Sequence, residues 1–153
     1  MLYYVIKSWV TGKISLLNET LSEAEKLAES NLNFDPDMLP LNLKDNSYFI
    51  KLREVTFTDN ESGEINVKVN IEFHFRLYKK PGEFYRKIID DKLYRLCGIL
   101  IDDTASGLEH TSDGITIANI HNLSLSGLEK AYKGGEYLLP VAVFDLQVFG
   151  NVQ

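Results

Sequence analysis

Few side chains in this sequence are placed to do chemistry. The histidines are His74, His110 and His121. Zinc and iron sites take histidine together with carboxylate or cysteine at close spacing on rigid elements, and these three form no H-x-H or H-x-x-x-H pair. His74 falls on the polar side of a strand-like alternation, where an exposed histidine needs no further role. His110 stands in an acidic stretch with Asp102, Asp103, Glu109 and Asp113. That stretch could hold a metal for hydrolysis, although a solvated acidic loop is the commoner arrangement. Cys97 is the single cysteine, so it makes no internal disulfide and no multi-cysteine zinc site. Between Leu96 and Gly98, on an apolar helical stripe, it reads as a core residue, because a nucleophile needs a base and an electropositive setting. Asp90 and Asp91, with Lys87, Lys92 and Arg95 as neighbours, read as surface ion pairing. Gly134-Gly135 carries neither the P-loop lysine pattern nor a dinucleotide fingerprint and reads as a turn. Arg76, Lys79, Lys80 and Arg86 make a small basic cluster at a strand-to-helix corner. None of these sets is a catalytic motif, so the expectation is no enzyme and no cofactor or metal.

Composition agrees with a folded, mildly acidic chain. At 153 residues, with 44% apolar and 25% charged, it suits one domain over residues 1–153. A chain of this size buries roughly two-thirds of its unfolded surface, enough for one core. Its 16 basic against 22 acidic residues give a net charge of −6, which argues against binding nucleic acid through a broad basic face. The N-terminus MLYYVIKSWVTGK lacks the apolar run and cleavage site of a secretory signal. No stretch approaches the ~18 apolar residues of a membrane span, so an intracellular, reducing compartment is expected.

The elements that would position these residues follow from hydrophobic periodicity. Leu2, Val5, Ile6, Trp9, Val10, Ile14 and Leu17 recur at steps of three and four, predicting a helix from Met1 to about Leu17 that Gly12 weakens. Two capping-box spacings, Thr20 with Glu23 and Ser22 with Glu25, predict a second helix over about Leu21–Leu32. Asn33–Asp45, with Pro36 and Pro40, reads as an irregular connection. Ser47–Thr58 reads as a strand in which Val55 and Phe57 fall out of phase with Tyr48, Ile50 and Leu52, predicting a bulge near Glu54. After the polar loop Asp59–Gly63, the residues Ile65, Val67, Val69, Ile71, Phe73, Phe75 and Leu77 alternate with polar ones. That is the clearest pattern in the chain: one buried and one wet face of an antiparallel strand. At ~3.4 Å per residue it would span roughly 45 Å and project beyond a small core. A helix over about Glu83–Ile101, a loop over Asp102–Gly114 and a strand over Ile115–Leu125 follow. The region Gly127–Gly135 reads as a turn, and a strand over about Glu136–Phe149 ends the chain. Pro140 in that last strand suggests an edge position or a bulge. The fold class is α+β: a four-stranded, mostly antiparallel sheet, two hairpins flanking a long helix, and N-terminal helices packed on one face.

The helix, the hairpin whose long strand ends in FHFRLYKKPG, the following helix and the two strands closing on VAVFDLQVFG resemble, in order and strand character, the phage tail terminator (tail completion) family. The likeness covers most of the chain and rests on element order; no signature motif carries it. It implies a virion structural protein of the head–tail junction, assembled in the host cytoplasm. Such a protein forms a ring, usually of six, that caps the tail tube and meets the head-side connector. A closed ring uses heterologous contacts, and an acidic lumen lets DNA pass without binding. Aromatic residues such as Tyr3, Tyr4, Trp9, Tyr85 and Tyr132 agree with an interaction role. The interface residues expected under this likeness are Asp59, Asn60 and Glu61 at the hairpin tip and Arg76, Tyr78, Lys79 and Lys80 at the corner. The alternatives are another neck or head-completion adaptor, or a ligand-binding or metal-dependent hydrolase domain using His110.

Overall fold

Helix α1 covers Leu2–Asn18 and turns Val5, Ile6, Trp9, Val10, Ile14 and Leu17 inward, the stripe that the spacing predicts. The computed structural model describes residues 1–30, 45–59, 63–77, 82–105, 110–112, 114–128, 131–132 and 137–150. Lys13 joins the buried stripe, with its ammonium 5.4 Å from the centre of the Trp9 ring. Desolvation lowers its pKa, and the charge of Asp102 opposes that shift.

The helix expected over Leu21–Leu32 does not form in its described part, which ends at Ser30. Glu23–Glu25 makes one 3-10 turn, and Ala28–Glu29 forms strand β1, parallel to the start of β2. Local side-chain bonds decide this. Asn18 accepts the backbone N–H of Leu27 through Oδ1 and donates Nδ2 to the Leu27 carbonyl, both at 2.9 Å. Those bonds hold Leu27 extended and buried, the kind of competition that asparagine offers helices. Glu23 bonds Lys26.

The fold is α+β, with helices and a mixed sheet. Its main path runs β1, β2 (Ser47–Asp59), β3 (Glu64–Arg76), β8 (Val141–Gly150), β5 (Ile115–Ser126), β4 (His110–Ser112). All its pairings except that of β1 with β2 are antiparallel. The bulge expected near Glu54 is present: Leu52 faces Val69 while Glu54 faces Lys68, leaving Arg53 as the extra residue. Beyond it Val55 faces Val67 and Phe57 faces Ile65, back on the core side.

Strand β3 lies between β2 and β8, and Ile65, Val67, Val69, Ile71, Phe73 and Phe75 are all buried. It does not outrun the core. The apolar residues that do are on β2, where Val55 is 37% and Phe57 61% exposed. Ala142, Phe144, Leu146 and Val148 of β8 extend the same buried face, and Trp9 meets Phe144 edge-on at 6.3 Å. The predicted last strand is two. Short β7 (Tyr137–Leu138) pairs with the end of β3 and with β6 (Ala131–Tyr132), and β8 starts after Pro140. Pro140 therefore sits at a break ahead of an inner strand, not on an edge, and its carbonyl accepts the Phe73 N–H at 2.9 Å.

The long helix is continuous but not uniform: α2 (Gly82–Lys87), a π-helical turn (Ile88–Tyr94) and α3 (Arg95–Ala105). It runs four residues past the predicted end, so Asp102 and Asp103 are helical, and His110–Ser112 is strand β4 where a loop was expected. Helix α3 packs against α1 and β5. Among the described residues, no helix is long and apolar enough to cross a membrane.

Gly12 lies mid-helix on the exposed side of α1, and nothing stands within 4 Å of where its Cβ would be. Glycine costs a helix interior about 1 kcal/mol relative to alanine. Gly12→Ala is therefore expected to raise the unfolding free energy by about 1 kcal/mol, read from urea denaturation.

Candidate functional site

The corner at the end of β3, singled out in the sequence for its basic residues, joins distant parts of the chain. Asn46 opens β2 in the left-handed region, at φ 55°, a conformation that asparagine tolerates better than most residues. Its carbonyl accepts the Ala28 N–H at 2.9 Å, and its Nδ2 donates to the Ala24 carbonyl at 3.3 Å. Its Oδ1 accepts the Lys92 ammonium at 2.7 Å. Asp45 beside it takes the backbone N–H of Asn46 at 2.9 Å and that of Arg76 at 2.8 Å on one carboxylate oxygen.

Lys92 is 3% exposed, contrary to its expected place in a surface ion-pair group. It belongs to the π-helical turn, and Ile88, Lys92 and Leu93 are that turn's buried residues. Lys92 stands four residues after Ile88 and four before Leu96, both buried, so it lies on the inward stripe of the helix. Its ammonium lies 5.5 Å from the centre of the Phe75 ring. The Asn46 bond and the ring together offset part of the cost of burying a charge. Asp90 does pair at the surface, with Arg86 at 3.8 Å, a residue outside the expected group.

His74 also departs from expectation, being fully buried and not on a wet face. The alternation of β3 stops at its end because both faces are covered there. Strand β7 pairs with Phe75 and Arg76, and the Tyr137 ring lies 5.2 Å from the His74 ring. Arg76 is half-buried, with its guanidinium 5.9 Å from the same tyrosine ring. The hairpin tip is described only in part: Asp59 ends β2, paired with Glu64 across the ladder. Asn60, Glu61, Tyr78, Lys79 and Lys80 lie outside the described residues.

The other candidates are scattered. His110 faces Ile117 in the β4–β5 register, while Glu109 and Asp113 of its expected acidic loop lie outside the described residues. His121 is exposed on β5, opposite Asp145, which accepts a bond from Asn122 at 2.9 Å. Among the described residues, no three of histidine, cysteine, aspartate and glutamate cluster as a metal site would need. An open groove of about 540 Å³ runs along the helix past Asp90, Tyr94, Arg95, Gly98, Ile99 and Asp102. Its two carboxylates stand twelve positions apart, roughly 18 Å along a helix axis, too far to act on one atom. Arg95 there donates to Thr20 at 3.1 Å. Cys97 is half-buried, and burial pushes its thiol up to about 11. No family model matches this sequence, and no curated protein matches it either.

The arrangement can hold and orient segments: the buried lysine, the asparagine hub and the ring contacts tie the helix, the turn after α1 and the sheet together. Sequence reasoning missed Asn46 and Lys92, since neither belongs to a motif. The available signal was a lysine four residues after Ile88 and directly before Leu93, within the apolar stripe of the long helix.

Two outcomes follow from this geometry. Asn46→Gly keeps the left-handed backbone but removes the Lys92 acceptor, and is expected to cost about 1–3 kcal/mol. Adding Lys92→Met should return most of that loss, giving a clear coupling energy in a double-mutant cycle. Cys97 should alkylate with iodoacetamide far more slowly at pH 8 than a free thiol. Because its folded pKa lies above the ordinary value of 9.0, the neutral thiol favours the fold. That contribution is whole below pH 9 and is lost as pH rises through about 11. Wild type should thus lose more stability than Cys97→Ser over that window, by urea titration.

Proposed function

We propose that this protein is a structural component of a phage head–tail junction, forming a ring that caps the tail tube and meets the head-side connector. The supporting observation is the element order: an N-terminal helix, the β2–β3 hairpin, the long helix, then β5 and a closing strand β8 that inserts between β3 and β5. That order is the basis of the likeness to tail terminators. On this reading the four long strands β2, β3, β8 and β5 are the four-stranded antiparallel sheet of the family layout, and β1 and β4 are short additions at its ends. Among the described residues, the segment after α1, a turn and a two-residue strand, adds no second helix to that layout.

In this role the chain acts by shape and contact and needs no cofactor. Its partners are further copies of itself, a tube protein and a connector protein, and its place is the neck of the virion. DNA passes through the ring without specific binding.

The test is assembly. Purified protein mixed with tube protein should stop tube growth and give tubes with a ring at one end by negative stain. Lys80→Glu should reduce capping while leaving the circular dichroism spectrum and unfolding midpoint unchanged. Tubes that grow on uncapped in the presence of wild type would remove the junction reading. Normal capping by Lys80→Glu would take the corner out of the interface.

A further inference from the structure

Among the described residues, the long strands at the two sides of the sheet are open over complementary stretches. On β2, short β1 pairs only with Ser47 and Tyr48. Beyond the Arg53 bulge every residue from 53 to 58 is exposed. Val55-Thr56-Phe57-Thr58 there carries no charge and consists wholly of residue types with high strand propensity. On β5, short β4 pairs only with Ile115, Thr116 and Ile117. The rest, Ala118 to Ser126, contains no lysine, arginine, aspartate, glutamate or proline. Natural sheets guard open edges with such residues because an unpaired strand recruits another chain. Here the guards are bulges: on β2 they flank the uncharged Val55–Phe57, and on β5 they interrupt the uncharged stretch at Ala118 and between His121 and Ser124.

The geometry points to a second copy of this chain as the occupant, with the β2 edge of one subunit pairing with the β5 edge of the next. Direction and face both favour this joint. The strands β2, β3, β8 and β5 alternate in direction, so β5 of one copy and β2 of the next run antiparallel without either subunit turning over. The apolar sides also match. Val55 and Phe57 lie on the face of Val67 and Ile65, and Ile120 and Leu125 lie on the face of Leu146 and Ala142. Both are the core face of the sheet. Strands β1 and β4 block opposite ends of the two edges, so the open stretches meet with a stagger, which a closed ring absorbs by tilting its strands. Joining unlike edges is a heterologous contact that closes rings, whereas β2 against β2 would stop at two subunits. The inference builds on the ring reading and names the contact that reading lacks.

Cross-linking tests it in a Cys97→Ser background. Thr56→Cys and Ser124→Cys chains are each prepared alone and as a mixture, then treated with a short bismaleimide, both free at millimolar concentration and bound to tubes. Covalent dimers confined to the mixture are expected. Dimers of Thr56→Cys with itself would show like edges pairing and overturn the inference. So would a mixture without dimers in both states, which would leave the edge to some other chain. Phe57→Lys should weaken self-association at least about tenfold with an unchanged unfolding midpoint, and unchanged association would also overturn it. Capping of tubes by wild type is scored separately, so the ring reading and this contact can fail independently.

Discussion

Everything else in the structure depends on the apolar side of β3. Both neighbours of that strand are long and paired to it, so its backbone is satisfied along its length. Its six inward residues from Ile65 to Phe75 must then find cover on one side. Each is worth about 1.5–3 kcal/mol when fully buried, so the register is fixed. A slip by one residue would put Lys68, Asn70 and Glu72 into the core. Helix α1 and the long helix supply the cover. The inner strands β3 and β8 pair with each other without a bulge, and the irregularities fall on β2 and β5, which β1 and β4 pair with only at their starts among the described residues.

That cover brings two lysines inside. Lys13 rides on Trp9 and Lys92 on Phe75. A buried ammonium costs stability unless it is bonded, and Asn46 answers this for Lys92. The same asparagine ties the turn after α1, the start of β2 and the long helix together. The corner is therefore a clamp between sheet and helix, and Arg76 and His74 share in it through Tyr137.

Much of the fold was legible in the sequence because period-two and period-three-to-four patterns report burial directly. The α1 stripe, the face of β3, the phase change in β2 and the inward side of β8 all appear in the structure. What failed depended on contacts distant in sequence or on single side chains. The capping boxes after Thr20 gave no helix, because Asn18 bonds the Leu27 backbone instead. His74 looked wet because its neighbours in sequence are strand residues; its burial comes from β7, more than sixty residues later. Lys92 looked like a surface charge because its acidic and basic neighbours were weighed above its position in the apolar stripe, four residues after Ile88 and next to Leu93. For the site, the sequence picked the corner by its basic residues, but not the asparagine that organises it.

The bulge at Arg53 divides β2 into two halves of opposite parity. Before it, even-numbered residues face the core; after it, odd-numbered ones do. Removing that one residue would leave Leu52 against Val69, then Glu54 against Lys68 and Val55 against Val67, a ladder unbroken as far as Phe57 with every side chain still on its own face. Loss of a residue elsewhere in the regular part of the strand would turn part of it inside out. From Ser47 to Phe57 the core therefore fixes the length of β2 except at this position, where it permits two lengths.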